Sequence, residues 1–160
     1  MALIENRPFN ELKVGDSASL VRTLSERDIT LFAVMSGDVN PAHVDEEYAK
    51  SDMFHEVIAH GMWVGALIST VLGTMLPGPG TIYLAQSLRF LHPVGLGDTV
   101  TVTITVKELH AENHRSMLDC IVMNQDGETV ATGTAEIIAP TEKISRPRVE
   151  LPEVNLHEKR

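Results

Sequence analysis

From Ser36 to His43 the chain reads Ser-Gly-Asp-Val-Asn-Pro-Ala-His, which sets a carboxylate, Asp38, and an imidazole, His43, five residues apart across a turn. A loop of this length can aim both side chains at one point, and the chemistry such a pair suits is general acid–base work on a water molecule. Adding water across a double bond conjugated to a thioester, for example, needs one group to deprotonate the water, one to protonate the α-carbon and a donor for the enolate oxygen. Asp38 and His43 fit the first two roles. The same residues also fit a structural reading, in which Asp38 and Asn40 form an Asx-type turn ahead of Pro41 and His43 is a satisfied, partly buried histidine.

The third role has a candidate at His60-Gly61-Met62, where a helix is predicted to begin. The first amides of a helix have no intrahelical acceptor, its dipole favours negative charge at that end, and a glycine lets a carbonyl oxygen come close. Gly61 can equally do no more than relieve crowding at a tight helix entry. The seven histidines show no ligand set with metal spacing, and His110 and His114 flank a predicted turn between strands, so neither a metal nor another cofactor is expected.

The elements that must position these residues are readable in outline. Ser17 to Thr23 reads as a short strand. Ser25-Glu26-Arg27-Asp28 resembles a capping box opening a helix whose buried face is Ile29, Phe32, Ala33 and Met35 and which Gly37 ends. Asp38 to Ala42 is expected as a loop, because Pro41 pushes Asn40 out of helical geometry, and Asp45 caps a short helix through Tyr48 and Ala49. From Met62 to Leu76 apolar residues occupy nearly every helix face, which predicts a helix enclosed on all sides. Residues 81–91, 99–107, 115–123 and 129–138 read as strands, the alternation of Val100, Val102, Ile104 and Val106 with threonines being the clearest. Gly95-Leu96-Gly97-Asp98 and Gln125-Asp126-Gly127 read as turns joining consecutive, antiparallel strands. The pattern predicts an α+β domain in which an antiparallel sheet is wrapped around a long central apolar helix.

With 160 residues and 43% hydrophobic content, the chain suits one domain, expected over residues 1–140. Residues 141–160, charged and carrying prolines, read as a C-terminal extension or linker. A formal charge of -9 and a pI near 5.2 exclude the basic surface that nucleic acid requires. The apolar stretch is broken by Pro77-Gly78-Pro79-Gly80 before it reaches the ~20 residues of a membrane span, so no membrane partner is expected. With a single cysteine, Cys120, and no secretory pattern over Met1 to Pro8, the expected location is cytoplasmic.

Taken together, Phe32-Ala33-Val34-Met35-Ser36-Gly37-Asp38-Val39-Asn40-Pro41-Ala42-His43, Ile58-Ala59-His60-Gly61-Met62, the stretch from Leu76 to Phe90 and Pro93 to Asp98 resemble the MaoC-like dehydratases and (R)-specific enoyl-CoA hydratases, also called hydratase 2. The resemblance covers roughly Phe9 to Pro140. It implies a hotdog fold, usually dimeric, and a lyase that hydrates trans-2-enoyl-CoA to (R)-3-hydroxyacyl-CoA. In that family the thioester tunnel runs near the subunit interface. By resemblance Asp38 and His43 are the catalytic pair, Gly61 supplies the oxyanion amide, Asn40 holds the loop, and Ser69 hydrogen-bonds around the active-site loop. A helical serine satisfied by its own backbone is the alternative for Ser69. The chain is also similar to the N-terminal hydratase portion of bifunctional enoyl-CoA hydratase/phosphate acetyltransferases, which would place a fused phosphate acetyltransferase beyond residues 145–152. Rival readings are a hotdog acyl-CoA thioesterase, a 3-hydroxyacyl-ACP dehydratase, and an acyl-binding scaffold without turnover.

Overall fold

A computed structural model describes residues 1–158. Seven strands and four α-helices follow in the order β1 (Leu3–Glu5), β2 (Ser17–Thr23), α1 (Glu26–Ser36), α2 (Pro41–Val44), α3 (Glu46–Ser51), α4 (Gly61–Thr74), β3 (Ile82–Phe90), β4 (Thr99–His110), β5 (Arg115–Met123), β6 (Thr129–Ile138) and β7 (Ser145–Pro147). Five strands form one antiparallel sheet in the order β2-β4-β5-β6-β3, and β1 pairs with β7 in a second, two-stranded sheet.

Local chemistry accounts for most element ends. Ser25 and Asp28 form the capping box of α1, and Gly37 ends that helix in the left-handed region at φ 78°. Pro41 does not extend a loop, as the sequence had suggested; it opens the one-turn helix α2, with Asn40 as N-cap accepting from the Ala42 amide. Proline is well placed there, because the first helical residue has no use for an amide hydrogen. Asp45 caps α3 through the Tyr48 amide.

Inward residues of β4, β5 and β6 (Val100, Val102, Ile104, Leu118, Val122, Ala135) pack against Trp63, Val64, Leu67, Ile68, Val71 and Leu72 of α4, all buried. At roughly 1.5–3 kcal/mol for each fully buried large apolar side chain, this face holds α4 in place; its N-cap, His60, makes no side-chain capping bond.

The class is α+β, but the expected hotdog, with an antiparallel sheet wrapped around a long central apolar helix, is corrected by the structure. The helix has 14 residues and lies on one face of an open sheet. Met62, Ala66, Ser69 and Gly73 form an exposed stripe along it, with Met62 56% exposed. The sheet neither closes nor curls around it, since β2 and β3 are unpaired edges. The sequence misled here because hydropathy counts residue types, and small or flexible residues such as Ala66 and Met62 count as apolar wherever they point. Gly95 to Asp98 is likewise no hairpin. It carries the chain from β3 at one edge to β4 three strands away, whereas β4-β5 and β5-β6 are true hairpins.

Beyond Ile138 the chain returns to the N-terminus. Asn6, buried, donates through Nδ2 to the carbonyls of Pro79 (3.0 Å) and Glu142 (2.8 Å) and accepts the Ile144 amide at Oδ1 (2.8 Å). Lys143 adds a bond to the Asn6 carbonyl, and β7 follows on β1. At the β3–β6 pairing a Cβ on Gly133 would collide with the Ser87 carbonyl, so this close approach of backbones requires glycine. No helix among the described residues is long and apolar enough to cross a membrane.

Candidate active site

The α1–α2 turn is braced from within. The Ser36 hydroxyl accepts the Asp38 amide (3.1 Å), Asp38 Oδ1 accepts the Asn40 amide (3.1 Å), and the His43 amide reaches the Asn40 carbonyl (2.9 Å). The Asx-type bonding foreseen for Asp38 and Asn40 is therefore present, and it orients Asp38 as well as closing a turn. His43, in the last turn of α2, points its Nδ1 at the Ile58 carbonyl at 2.8 Å. A carbonyl only accepts, so Nδ1 carries the hydrogen and Nε2 keeps its lone pair.

The segment 58–60 is fixed in turn by the sheet side of the molecule. Ile58 forms a bridge to Gly95, and the Ala59 amide donates to the Val94 carbonyl (2.8 Å). That places His60 under the turn, 2% exposed, with Nε2 donating to the Asp38 carbonyl at 3.1 Å. Its ring lies 4.1 Å from that of His43, with 30° between their planes, and 4.7 Å from that of Phe32. Gly61 follows as the first residue of α4, so its N–H is among those with no acceptor inside the helix.

Asp38, His43 and His60 each bring one side-chain N or O to within 4.8 Å of the others. A single water holding two hydrogen bonds of ordinary length spans about 4.6 Å, so one water fits between the Asp38 carboxylate and His43. The same three groups are also close enough to hold a metal ion, and one nitrogen on each imidazole is engaged by a backbone carbonyl.

A cavity of about 270 Å³ opens on two members of this group, His43 and His60. His43, His60 and Gly61 lie on one wall, and Phe54, Phe90 and Val130 are among the mostly apolar remainder. A larger depression of about 740 Å³ lies beside α2 and α3, lined by Val39, Val44 and the charged side chains of Asp45, Glu46, Glu47 and Lys50; it contains none of the three residues. The smaller cavity is the candidate site because it is lined by Gly61 and by His43 and His60, which stand within 4.8 Å of the Asp38 carboxylate. Ser69 stands apart, about 12 Å along α4 from Gly61 at 1.5 Å per residue. It lines a separate cavity of about 390 Å³ with Phe32, Met35, Met62, Tyr83 and Gln86.

The structure thus brings Asp38, Asn40, His43 and Gly61 to one place and puts Ser69 in another. Sequence reasoning passed over His60, treating it only as the neighbour of Gly61. The available signal was its position, a histidine between the apolar pair Ile58-Ala59 and the start of the most apolar helix.

Comparison with known proteins identifies the family. Residues 11–127 match the family model described as MaoC like domain. An (R)-specific enoyl-CoA hydratase of Rhodospirillum rubrum is 50% identical over 134 residues, covering 82% of this chain and 91% of that protein. A 3-hydroxybutyryl-CoA dehydratase of Methylorubrum extorquens is 41% identical, covering 87% and 88%. Among solved structures, the unliganded R-hydratase PhaJ1 of Pseudomonas aeruginosa superposes with a TM-score of 0.93 at 47% identity, covering 98% of this chain and all of that one. The chain belongs to the MaoC-like family, in the branch of the (R)-specific enoyl-CoA hydratases.

Proposed function

We propose that the protein adds water to trans-2-enoyl-CoA to give (R)-3-hydroxyacyl-CoA, and catalyses the reverse dehydration. The observation that carries this is the approach of the Asp38 carboxylate and the His43 ring to within reach of one water, with His43 and Gly61 lining one mostly apolar cavity. In the hydration direction the water oxygen bonds to C3 as the pair takes one of its protons. The C2–C3 π electrons move to the thioester oxygen, where the Gly61 N–H and the α4 dipole stabilise the enolate. The enolate then collapses as the pair returns a proton to C2, so that one water is added and the pair regains its starting state. His43 accepts through Nε2, the nitrogen left bare by the bond to Ile58.

Asn40 serves by bracing the turn through its amide and side chain. Ser69, on the exposed face of α4, serves by lining the separate cavity. A homodimer or dimer-based oligomer suits the unpaired edge β3, which exposes Ile82, Tyr83, Leu84 and Phe90 and leaves apolar side chains for a second copy to cover. The lone, buried Cys120 suits the reducing cytoplasm, and a fused phosphate acetyltransferase remains compatible with the exposed residues 148–158.

The test is incubation of the purified protein with crotonyl-CoA. Loss of the conjugated thioester with formation of (R)-3-hydroxybutyryl-CoA is expected. Release of free thiol at the same rate would mark a thioesterase, and the (S) product would overturn the assigned geometry.

A further inference from the structure

We propose that His60 is a positioning residue that references both members of the Asp38–His43 pair to the rigid entry of α4. Its kinetic test rests on the hydratase reading; its spectroscopic test does not.

His60 occupies the N-cap of α4 without capping it, so helix initiation does not explain its side chain. Its Nδ1 is the one buried side-chain polar atom without a partner among the described residues. Leaving such an atom unpaired is unfavourable, and an apolar side chain of similar size would avoid that cost. What only an imidazole supplies here is an edge donor and a flat face together. The donor, Nε2–H, holds the Asp38 carbonyl at 3.1 Å, while Asp38 Oδ1 is held by the Asn40 amide. The face lies against His43, with centroids 4.1 Å apart.

His43 needs that face. Its bond from Nδ1 to the Ile58 carbonyl fixes one direction in the ring plane but leaves the ring free to rock about the N–H···O axis. Packing against His60 removes this motion and sets where Nε2 points. Because Gly61 is the next residue, the carboxylate, the imidazole and the amide share one anchor, and their spacing is set by a helix end instead of by a loop.

Two variants separate the two contacts. His60→Phe keeps the flat ring and removes the donor; His60→Gln keeps an N–H and removes the stack. Each should fold, as judged by its melting curve. Each should hydrate crotonyl-CoA with kcat reduced on the order of 100-fold, the cost of a small misplacement of reacting groups, and with KM changed by less than about threefold. Placed on Asp38→Asn, where little is left to position, His60→Phe should cost less than about a further twofold, because residues acting as a unit are not additive. Equal losses on both backgrounds would show a merely structural role and overturn the proposal. So would a folded His60→Phe or His60→Gln retaining more than about half the parent kcat.

Histidine ring NMR supplies the independent readout. His43 should hold the Nδ1–H tautomer in all three proteins, while its ring ¹³C–¹H order parameters should fall in His60→Gln and stay at the parent level in His60→Phe; unchanged His43 ring order in His60→Gln would also overturn it. A parent with no hydratase activity would sink the functional reading alone, leaving the NMR comparison to decide His60. If neither variant folds, His60 is a core residue and the proposal fails.

Discussion

Replacing Gly61 by alanine isolates the amide from the rest of the site. Gly61 has no positive φ, so alanine fits the backbone, and losing a glycine in a helix favours folding by about 0.5–1 kcal/mol. Against this, the new Cβ would stand 3.2 Å from Cζ and 3.3 Å from Cε1 of Phe90, so the ring must yield by a few tenths of an ångström. Phe90 is 49% exposed and meets the methyl with the far end of its side chain, so it can yield. The two effects should nearly cancel, leaving stability within about 1 kcal/mol and the melting midpoint within roughly 4 °C for a chain of this size. Catalysis should fare differently. The methyl fills the space between the amide and Phe90, both of which line the cavity, and so keeps the thioester oxygen from the N–H. Losing one oxyanion donor costs about 2.7–4 kcal/mol, a fall in kcat of about 100- to 1000-fold. KM should change little, because the bond strengthens as the enolate forms. Initial rates with crotonyl-CoA, alongside melting curves, check both halves. A folded Gly61→Ala protein with more than about a tenth of the parent kcat would refute the oxyanion role.

Asp38→Asn and His43→Gln should each lower crotonyl-CoA hydration at least ~100-fold while the proteins stay folded, and the double variant should be little worse than the poorer single one; a product of two independent losses would mean the two do not share one water. Asn6→Ala leaves the Pro79 and Glu142 carbonyls and the Ile144 amide without their partner, and denaturant titration should show a loss of about 2–4 kcal/mol. Ending the chain after Arg148 should leave the melting midpoint almost unmoved, whereas ending it after Pro140 removes Lys143, Ile144 and β7 from Asn6 and β1 and should lower it by several degrees. Partial burial of the Tyr83 side chain, which leaves the residue 38% exposed, and after it the nearby Cys120 thiol, pushes the phenol up to about 12. Since the fold favours the neutral phenol, its contribution is complete below the unfolded value of about 10 and is lost as pH rises through about 12. Tyr83→Phe should therefore flatten the fall in stability over that window, and an unchanged profile would show that Tyr83 does not cause it.

What the sequence determined by itself are the features written in neighbouring residues. The capping box of Ser25 and Asp28, the left-handed Gly37, the strand alternation from Thr99 to Val106 and the Asx bonding of Asp38 and Asn40 each depend on side chains acting within a few positions of themselves. For the same reason the Asp38–His43 pair could be singled out, since one turn holds both. Tertiary structure decided whatever depends on direction and distance in space. Hydropathy could not tell that Met62, Ala66 and Ser69 form an exposed stripe lining a cavity with β3, nor that β3 would pair with β6 and leave β4 on the far side. It could not show that the Ile58–Gly95 bridge carries the Ile58 carbonyl to His43 and the His60 ring beneath Asp38. Those contacts join residues 15 and 22 positions apart. Nothing in the local chemistry of either partner specifies the other; only packing α4 against the sheet brings them together.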